Sequence, residues 1–512
     1  MADGTRRGGN SNRGELALGL TVLVVIVVAA VVIGGGFLGN GVSPSPTVAP
    51  SAVAVAPQPT SVAVTPPAVA SSPAATAAPA GTPAGTPGPP LVRISPGLIA
   101  VIGDDGALST MDDAGGSLVS YPAPGITFGF PAWSPDGTRI AAIGTGPDDT
   151  AIYVFTVPGG GGSAAAAPST PAIGPEPVVI FRSADRVPFY LYWTPDSRHV
   201  SFLASEGSDL TLRVAPADGS APLDGSGPAS LVRQGSPLYF DWINSTRLLV
   251  HIDVGPNAFT GEVGLDGAAL RPVLDGSGLF RSASASADGR YVAYVKGTAD
   301  GTENIVVQPR AGGASHQLPV FGPAAFVFDP AGDAVASLAS TQPVTPDASI
   351  PVGPIKFTDP ATGKTRTLLA GPAVAFFWSP DGRTIAAILP GQPGDDQVTR
   401  EPGIQLAAAA GSLDGPITVA TAPGITGRLA FIDVASGTLR SQQVVHLGQH
   451  FVDELLPYFD QYALSHHLWS PDSASLLLPE VAASGADQLV VVPAAGSDPR
   501  PIPGGVSGFW SP

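Results

Sequence analysis

"PAWSPDGTRIAAI", residues 131–143, recurs along the chain as "LYWTPDSRHVSFL" (191–203), "AFFWSPDGRTIAAI" (375–388) and "HLWSPDSASLLL" (467–478). Weaker copies read "FDWINSTRLLV" (240–250), "SASADGRYVAYV" (284–295) and "FVFDPAGDAVASL" (326–338), and the last residues are "GFWSP" (508–512). All six tryptophans, Trp133, Trp193, Trp242, Trp378, Trp469 and Trp510, hold the same repeat position, with Ala285 and Phe328 in two weaker copies. Ser-Pro-Asp-Gly suits a type I turn: Ser opens it, Pro presets φ, and Gly closes it. An apolar segment precedes each turn and a run such as Ile140–Ile143 follows, so each copy predicts a hairpin. The large ring before the turn is expected to pack between neighbouring sheets rather than to build an aromatic binding cage.

Two more short strands follow each hairpin, joined by turns such as "APADGS", "QPRAGG" and "DVASG". Each unit therefore predicts a four-stranded antiparallel sheet, with strands A to D. Successive motif positions lie 60, 49, 43, 43, 50, 91 and 41 residues apart. Those spacings match the roughly 40–50 residues of a propeller blade, with two insertions. Radial repetition of such sheets is a β-propeller, so the fold class is all-β: a single propeller of about eight blades, within a range of seven to nine. Residues 97–123 look like strands B, C and D without an A strand, and "VSGFWSP" looks like an A strand alone. Joined, they would close the ring with one strand from each end.

The "WSPDG" motif followed by an "IAA"-type strand resembles the repeat of TolB-like (WD-like) β-propellers, and also that of the dipeptidyl-peptidase propellers. The resemblance covers about residues 93–512. It implies the scaffold and no particular chemistry. TolB carries an N-terminal α/β domain where this chain is expected to have an anchor and a stalk, so a Tol-type partnership is not carried over. The peptidases carry an α/β-hydrolase domain after the propeller, where this sequence ends, so their activity is not carried over either.

Apolar residues make up 44% of the 512 and charged residues 13%, enough for a large core. Gly (64) and Pro (56) are abundant, as a turn-rich fold requires. A net charge of −17 with no basic stripe excludes nucleic acid as a partner. No cysteine is present, which removes disulfides, thiolate metal sites, a cysteine nucleophile and a lipid-modified cysteine together.

Leu16 to Leu38 runs without a charge, preceded by Arg6, Arg7 and Arg13, and no Lys or Arg follows until Arg93. About 20 apolar residues cross a bilayer core, and the basic flank stays in the cytoplasm. A cleaved signal peptide has an apolar region of only about 7–15 residues. The expectation is a cytoplasmic tail at 1–15, an uncleaved signal anchor at 16–38, a stalk at 39–92 and an extracytoplasmic propeller at 93–512. The stalk is rich in Pro, Ala, Ser and Thr and uncharged. At about 3.1 Å per residue, fifty residues of polyproline II reach on the order of 150 Å. Ser and Thr beside Pro also permit O-glycosylation. The cell-membrane placement and the repeats together suggest a bacterium.

No G-x-S-x-G elbow, H-E-x-x-H pair, P-loop or full EF-hand loop occurs, so no catalytic residue, cofactor or metal site is assigned. Asp pairs such as Asp104/Asp105 and Asp395/Asp396 fall in Gly/Pro-rich turns, where Asp caps the backbone. Asn244-Ser245-Thr246 fits the N-glycosylation pattern but falls in a repeat turn. The loop 158–177 reads as solvated filler.

The two insertions lie at 390–427, between strands B and C, and at 446–466, between D and the next A. Both should leave the same face. The second reads "HLGQHFVDELLPYFDQYALSH", with Phe451, Leu455, Leu456, Phe459 and Tyr462 at helical spacing and Pro457 to kink or start a turn. It gathers His446, His450, Asp453, Glu454, Tyr458, Asp460 and His466, with His467 just beyond. These eight residues are the candidate ligand face. The favoured reading is an amphipathic cap that seals the propeller. The sharper one is a metal or ligand site, with His446 and His450 sharing a helical face.

The composition and pattern predict a stalked binding or scaffolding module for a protein or glycan of the cell envelope. The alternatives are a hydrolase or lyase with loop-borne residues, and a sensor signalling through the helix.

Overall fold

Each Ser-Pro-Asp-Gly turn is built by a side-chain relay. Ser134 Oγ donates to Asp136 Oδ1 at 2.6 Å and accepts the Arg139 amide at 3.0 Å, while Asp136 Oδ1 accepts the Thr138 amide at 3.0 Å. Thr194/Asp196, Ser286/Asp288, Ser379/Asp381 and Ser470/Asp472 repeat the hydroxyl–carboxylate bond at 2.6–2.7 Å. The fourth position is left-handed, with φ of 66° at Gly137 and 67° at Gly382, which is why glycine recurs there. Ser197 and Ser473 hold the same position at φ 61° and 60°. Each spends that strain on a bond: the Asp136 amide donates to Ser197 Oγ, and the Asp381 amide to Ser473 Oγ, both at 3.1 Å. In both cases the serine's turn is tied to the turn of the preceding sheet.

The structure, a computed structural model, describes residues 97–159, 172–221, 223, 231–254, 258–275, 281–297, 303–342, 350–395 and 425–512. The expected tail, the span at 16–38 and the stalk at 39–92 lie outside these residues. Among the described residues no helix is long and apolar enough to cross a membrane.

The fold is all-β and built from four-stranded antiparallel sheets of the propeller type, each named here by its tryptophan-position residue. The Trp133 sheet pairs Thr127–Trp133, Arg139–Thr145, Thr150–Thr156 and Val178–Ser183 in that order. The Trp193 sheet pairs Pro188–Trp193, His199–Glu206, Asp209–Pro216 and Leu231–Gly235. The Trp242 sheet runs through Leu238–Asn244, Arg247–Ile252, Phe259–Gly264 and Ala269–Asp275.

The Ala285 and Phe328 sheets share one long strand, His316–Phe328. Its first part pairs with Glu303–Pro309 and its second with Val335–Ser340. The Trp378 sheet comprises Ala375–Trp378, Thr384–Pro390, Ile425–Asp433 and Leu439–Leu447. In the Trp469 sheet a single bridge, Trp469 to Leu476, stands for the first strand, before Ser475–Val481, Asp487–Pro493 and Arg500–Pro503. Gly505–Trp510 pairs antiparallel with Ile99–Gly103, joining the two ends of the repeat region in the Trp510 sheet.

Inner strands are apolar without alternation because both faces of a sheet are covered. From Arg139–Thr145, Ala141 and Ile143 pack with Trp193 and Phe202 of one neighbour. Ile140 and Ala142 pack with Ile102 and Leu108 of the other. Trp510 likewise packs with Leu477, Leu489 and Val491 of the Trp469 sheet.

The indoles bond the sheets in sequence. Trp133 Nε1 donates to the Phe509 carbonyl (3.0 Å), Trp193 Nε1 to Ala132 (2.9 Å), Trp378 Nε1 to Val327 (3.3 Å) and Trp469 Nε1 to Phe377 (3.1 Å). Every acceptor immediately precedes the tryptophan position of the previous sheet. Trp242 reaches its equivalent through a hydroxyl: its Nε1 donates to Ser201 Oγ at 3.0 Å, and Ser201 Oγ donates to the Tyr192 carbonyl at 2.6 Å. The rings are interfacial packing residues, as their spacing suggests, and five of the six also carry a directional bond, the Trp510 indole being packed without one.

Both insertions leave one edge of the Trp378 sheet, because Pro390 pairs with Gly427 and Ile425 with Leu447. Their bounds need correcting. Strand pairing runs through Pro390, from Ile425 and through Leu447, so the insertions span 391–424 and 448–466. His446 is therefore a strand residue, carried into the ladder by Val444 and Val445, and does not share a helical face with His450. Residues 396–424 lie outside the described residues. Loop 158–177 is more than filler: Ala172–Ile173 lies parallel to Val119–Ser120 at the edge of the Trp510 sheet.

Candidate functional site

Gly448–Ser465 folds as three short turns: a π-type turn Phe451–Leu455, a 3-10 turn Leu456–Tyr458 and one α turn Phe459–Tyr462. Pro457 sits at the start of the 3-10 turn, where its missing N–H costs nothing. The helical spacing is thus real but broken into single turns.

The segment packs against the first strands of several sheets at once. Phe459, fully buried, meets Phe376 at 5.3 Å and Phe377 at 5.9 Å between ring centroids. Tyr462 stacks on Phe130 at 5.7 Å and meets Tyr190 edge-on at 5.5 Å. Tyr190 Oη donates to the Gln461 carbonyl at 3.1 Å. His466, just after the turns, lies 4.7 Å from Phe509 and 6.4 Å from Phe130. The Trp133, Trp193, Trp378 and Trp510 sheets therefore all touch this one stretch: it is a plug among the inner strands.

Two of the receiving rings are aimed by strained backbone. Phe130 and Tyr190 have φ of 50° and 51°, the left-handed region, and both lie at register shifts in their strands. Bulges re-aim side chains in this way, and strain of this kind collects where a contact needs it. Both residues stand three positions before a tryptophan, as do Tyr239 and His466. That ring-x-x-Trp spacing is the signal in the sequence for the Phe130 and Tyr190 side of the plug's seat.

One flank of the plug is polar and closed. Asp241 is 2% exposed, and its Oδ2 accepts the Ala285 amide at 2.8 Å. Burial pushes its carboxyl up to about 7, against the pull of the Ala285 and Trp242 amides. Asp460 is likewise pushed to about 7 by burial, opposed by its own amide, that of Gln461 and the charge of Arg281. Tyr190 and Tyr239 feel both carboxylates, and burial holds their phenols well above the ordinary value. Burial lowers the His466 imidazole to about 3 and also lowers His467.

The eight candidate residues therefore separate. His466 is buried, Tyr458, Asp460 and His467 are partly covered, and His446 is buried in its strand with Nδ1 3.3 Å from Thr426 Oγ1. His450, Asp453 and Glu454 form an outward rim. His450 Nδ1 lies 3.2 Å from Glu454 Oε1, which raises its pKa, and Gln449 Nε2 donates to Asp453 at 2.7 Å. Among the described residues no group of three or more His, Cys, Asp or Glu side chains is placed to hold a metal ion. Beside the rim, Arg428 clasps Asp395 with bonds of 2.7 and 2.8 Å, anchoring the start of the first insertion. A cavity of about 210 Å³ lined by Leu318, Val320, Ser337 and Lys356 lies apart, where the Ala285 and Phe328 sheets meet.

No protein-family model and no curated protein matches the sequence. Similar solved structures include a eukaryotic initiation factor, at 11% identity over 81% of this chain and 98% of that one, with TM-score 0.46. TolB from Acinetobacter baumannii is 15% identical over 54% of this chain and 65% of that one, with TM-score 0.33. Oligopeptidase B from Leishmania major is 11% identical over 57% of this chain, which spans 44% of the peptidase, with TM-score 0.34. All lie below 25% identity and 0.5 in TM-score, so the fold rests on the strand pairings themselves.

Proposed function

We propose that the chain is a binding or scaffolding module for a protein or glycan of the cell envelope. In this reading the repeat region is one ring of eight blades, held outside the cell by the anchor at 16–38 and the stalk at 39–92. The pairing of Gly505–Trp510 with Ile99–Gly103 supports closure of that ring. The carrying observation is the plug. The chain's own rings fill the space between the inner strands, where a propeller enzyme would need an open pocket with converging polar groups. What remains outward is the rim, His450, Asp453 and Glu454, beside the root of the first insertion.

The test uses the full-length chain in lipid vesicles, offered to a glycan panel and to envelope proteins. Two variants accompany it: H450A/D453A/E454A, and one with 396–424 replaced by a short Gly/Ser linker. A ligand bound by the wild type and released by either folded variant supports the reading. Equal binding by all three moves the site away from the rim.

A hydrolase or lyase is the second reading, favoured by Asp241 and Asp460, whose carboxyls burial pushes up to about 7, the range suited to proton transfer. Turnover of a glycan or peptide panel, lost in D241N or D460N, would select it.

A further inference from the structure

We infer that the crevice where the Ala285 and Phe328 sheets meet is a binding site for a small monocarboxylate, with Lys356 as its counter-charge. The cavity measures about 210 Å³. Val320, Ser337 and Ala339 are its buried floor, while Pro319 and Thr365 lie exposed at its lip, so it opens to solvent.

Its polar residues depart from the repeat. Ser337 stands two residues beyond Val335, the strand partner of Phe328, and pairs across with Lys356. The corresponding pairs in other sheets include Ala142–Tyr153, Val250–Gly261, Ala387–Ala430 and Leu478–Val490. Packing between sheets thus needs no cation at this place. The Trp193 sheet does carry one, in the pair Phe202–Arg213, but meets its charge within the sheet. Arg213 Nη2 lies 2.8 Å from Glu206 Oε2, and its Nε donates to Thr211 Oγ1 at 3.2 Å. Lys356 is one of three lysines in a chain of net charge −17, yet its side chain makes no ion pair or hydrogen bond among the described residues. No Asp or Glu lines the cavity. Ser337, 5% exposed, likewise makes no side-chain hydrogen bond among the described residues.

An ammonium and a free hydroxyl beside Leu318, Val320 and Ala339 call for a ligand with an anionic end and an apolar body. One cation matches a single negative charge. A carboxylate accepts from an ammonium and a hydroxyl at once, whereas a phosphate dianion would leave charge unmet. An apolar cavity of about 150 Å³ holds benzene, so this one has room for a ring or a short branched chain plus a carboxylate. The site lies apart from the rim and stands whatever the rim binds.

Benzoate is the probe. In the full-length chain carrying isotope-labelled lysine, three lysines give three ε-methylene signals, and K356R identifies the one from Lys356. Benzoate added at constant ionic strength should shift that signal saturably, with Kd on the order of 1 mM, and leave those of Lys296 and Lys364 in place. Benzamide, the same shape without the charge, should bind about tenfold more weakly. K356M and S337A, each checked for an unchanged melting temperature, should lose affinity for benzoate, K356M by about tenfold or more. Absence of a saturable shift at Lys356 overturns the site without reference to any variant. So does a shift shared equally by all three lysines, which is diffuse charge, or equal affinity for benzamide, which is cavity filling alone. A folded K356M that binds benzoate as the wild type does overturns it as well.

Discussion

Two joints between neighbouring sheets perform the same task with different chemistry. Between the Trp133 and Trp193 sheets the contact is neutral at its centre: an indole N–H on the Ala132 carbonyl, with Arg139 over the Trp193 ring at 5.0 Å. Between the Trp242 and Ala285 sheets there is no indole to donate. Asp241 instead reaches across to the Ala285 amide, and Arg310 grips Glu262 with two bonds of 2.8 Å. Glu262 is 1% exposed, so this joint has buried charge where the other has buried aromatic surface. A weak repeat copy is therefore not an absent joint. It is a joint whose strength depends on pH.

The largest break should come from R310A, which leaves Glu262 buried without its bidentate partner. Removing one side of such a pair costs about 3–5 kcal/mol, read as a shift in the urea midpoint. Trp193→Phe should lower stability by less, about 2 kcal/mol, since the smaller ring leaves a cavity and one hydrogen bond goes.

The pH profile sharpens the contrast next. The Asp241 carboxyl is raised from 3.8 to about 7, so the native state holds a proton that the unfolded chain has released. Stability therefore declines as pH climbs from about 4 to 7, and D241N should remove the share of that decline that Asp241 supplies, leaving the share of Asp460, in denaturation series at pH 5 and 8. Glu262 has the opposite sign. Arg310 depresses its pKa, so its contribution is complete above the ordinary 4.5 and is lost as pH falls through the folded value. Acidification below pH 4 should thus weaken the wild type more than Glu262→Gln.

The smallest effects are expected at the turns. Ser197→Ala keeps the left-handed strain and loses the bond from the Asp136 amide, a cost of about 1 kcal/mol. Ser197→Gly loses the same bond but relieves the strain, and should fall within about 0.5 kcal/mol of wild type. Equal losses in both would remove the left-handed strain from the account and leave the lost bond as the cause.

Much of this was legible in the residues. The tryptophan spacing marks the sheets, and "GLIAVIG" at one end with "VSGFW" at the other announces their pairing. The insertion's departure from the repeat drew attention to Phe459 and Tyr462, which prove to be the plug's anchors. Less legible was the division of the eight candidates. One stretch of chain supplies a buried group (His466), partly covered ones (Asp460, His450) and an exposed one (Asp453), because it buries only the side that carries Phe451, Leu455, Phe459 and Tyr462.

The sequence by itself determined the repeat, its turn chemistry and which rings lie between sheets, since these depend on neighbours a few residues apart. Only the tertiary structure decided where each indole hydrogen goes and that Ser197 and Ser473 use their strain to tie adjacent turns. It also decided that Asp241 takes over where Ala285 has no ring, and that 448–466 turns inward. Those choices depend on groups tens to hundreds of residues apart meeting at a few ångströms, where burial rather than local pattern sets the energy of a charge.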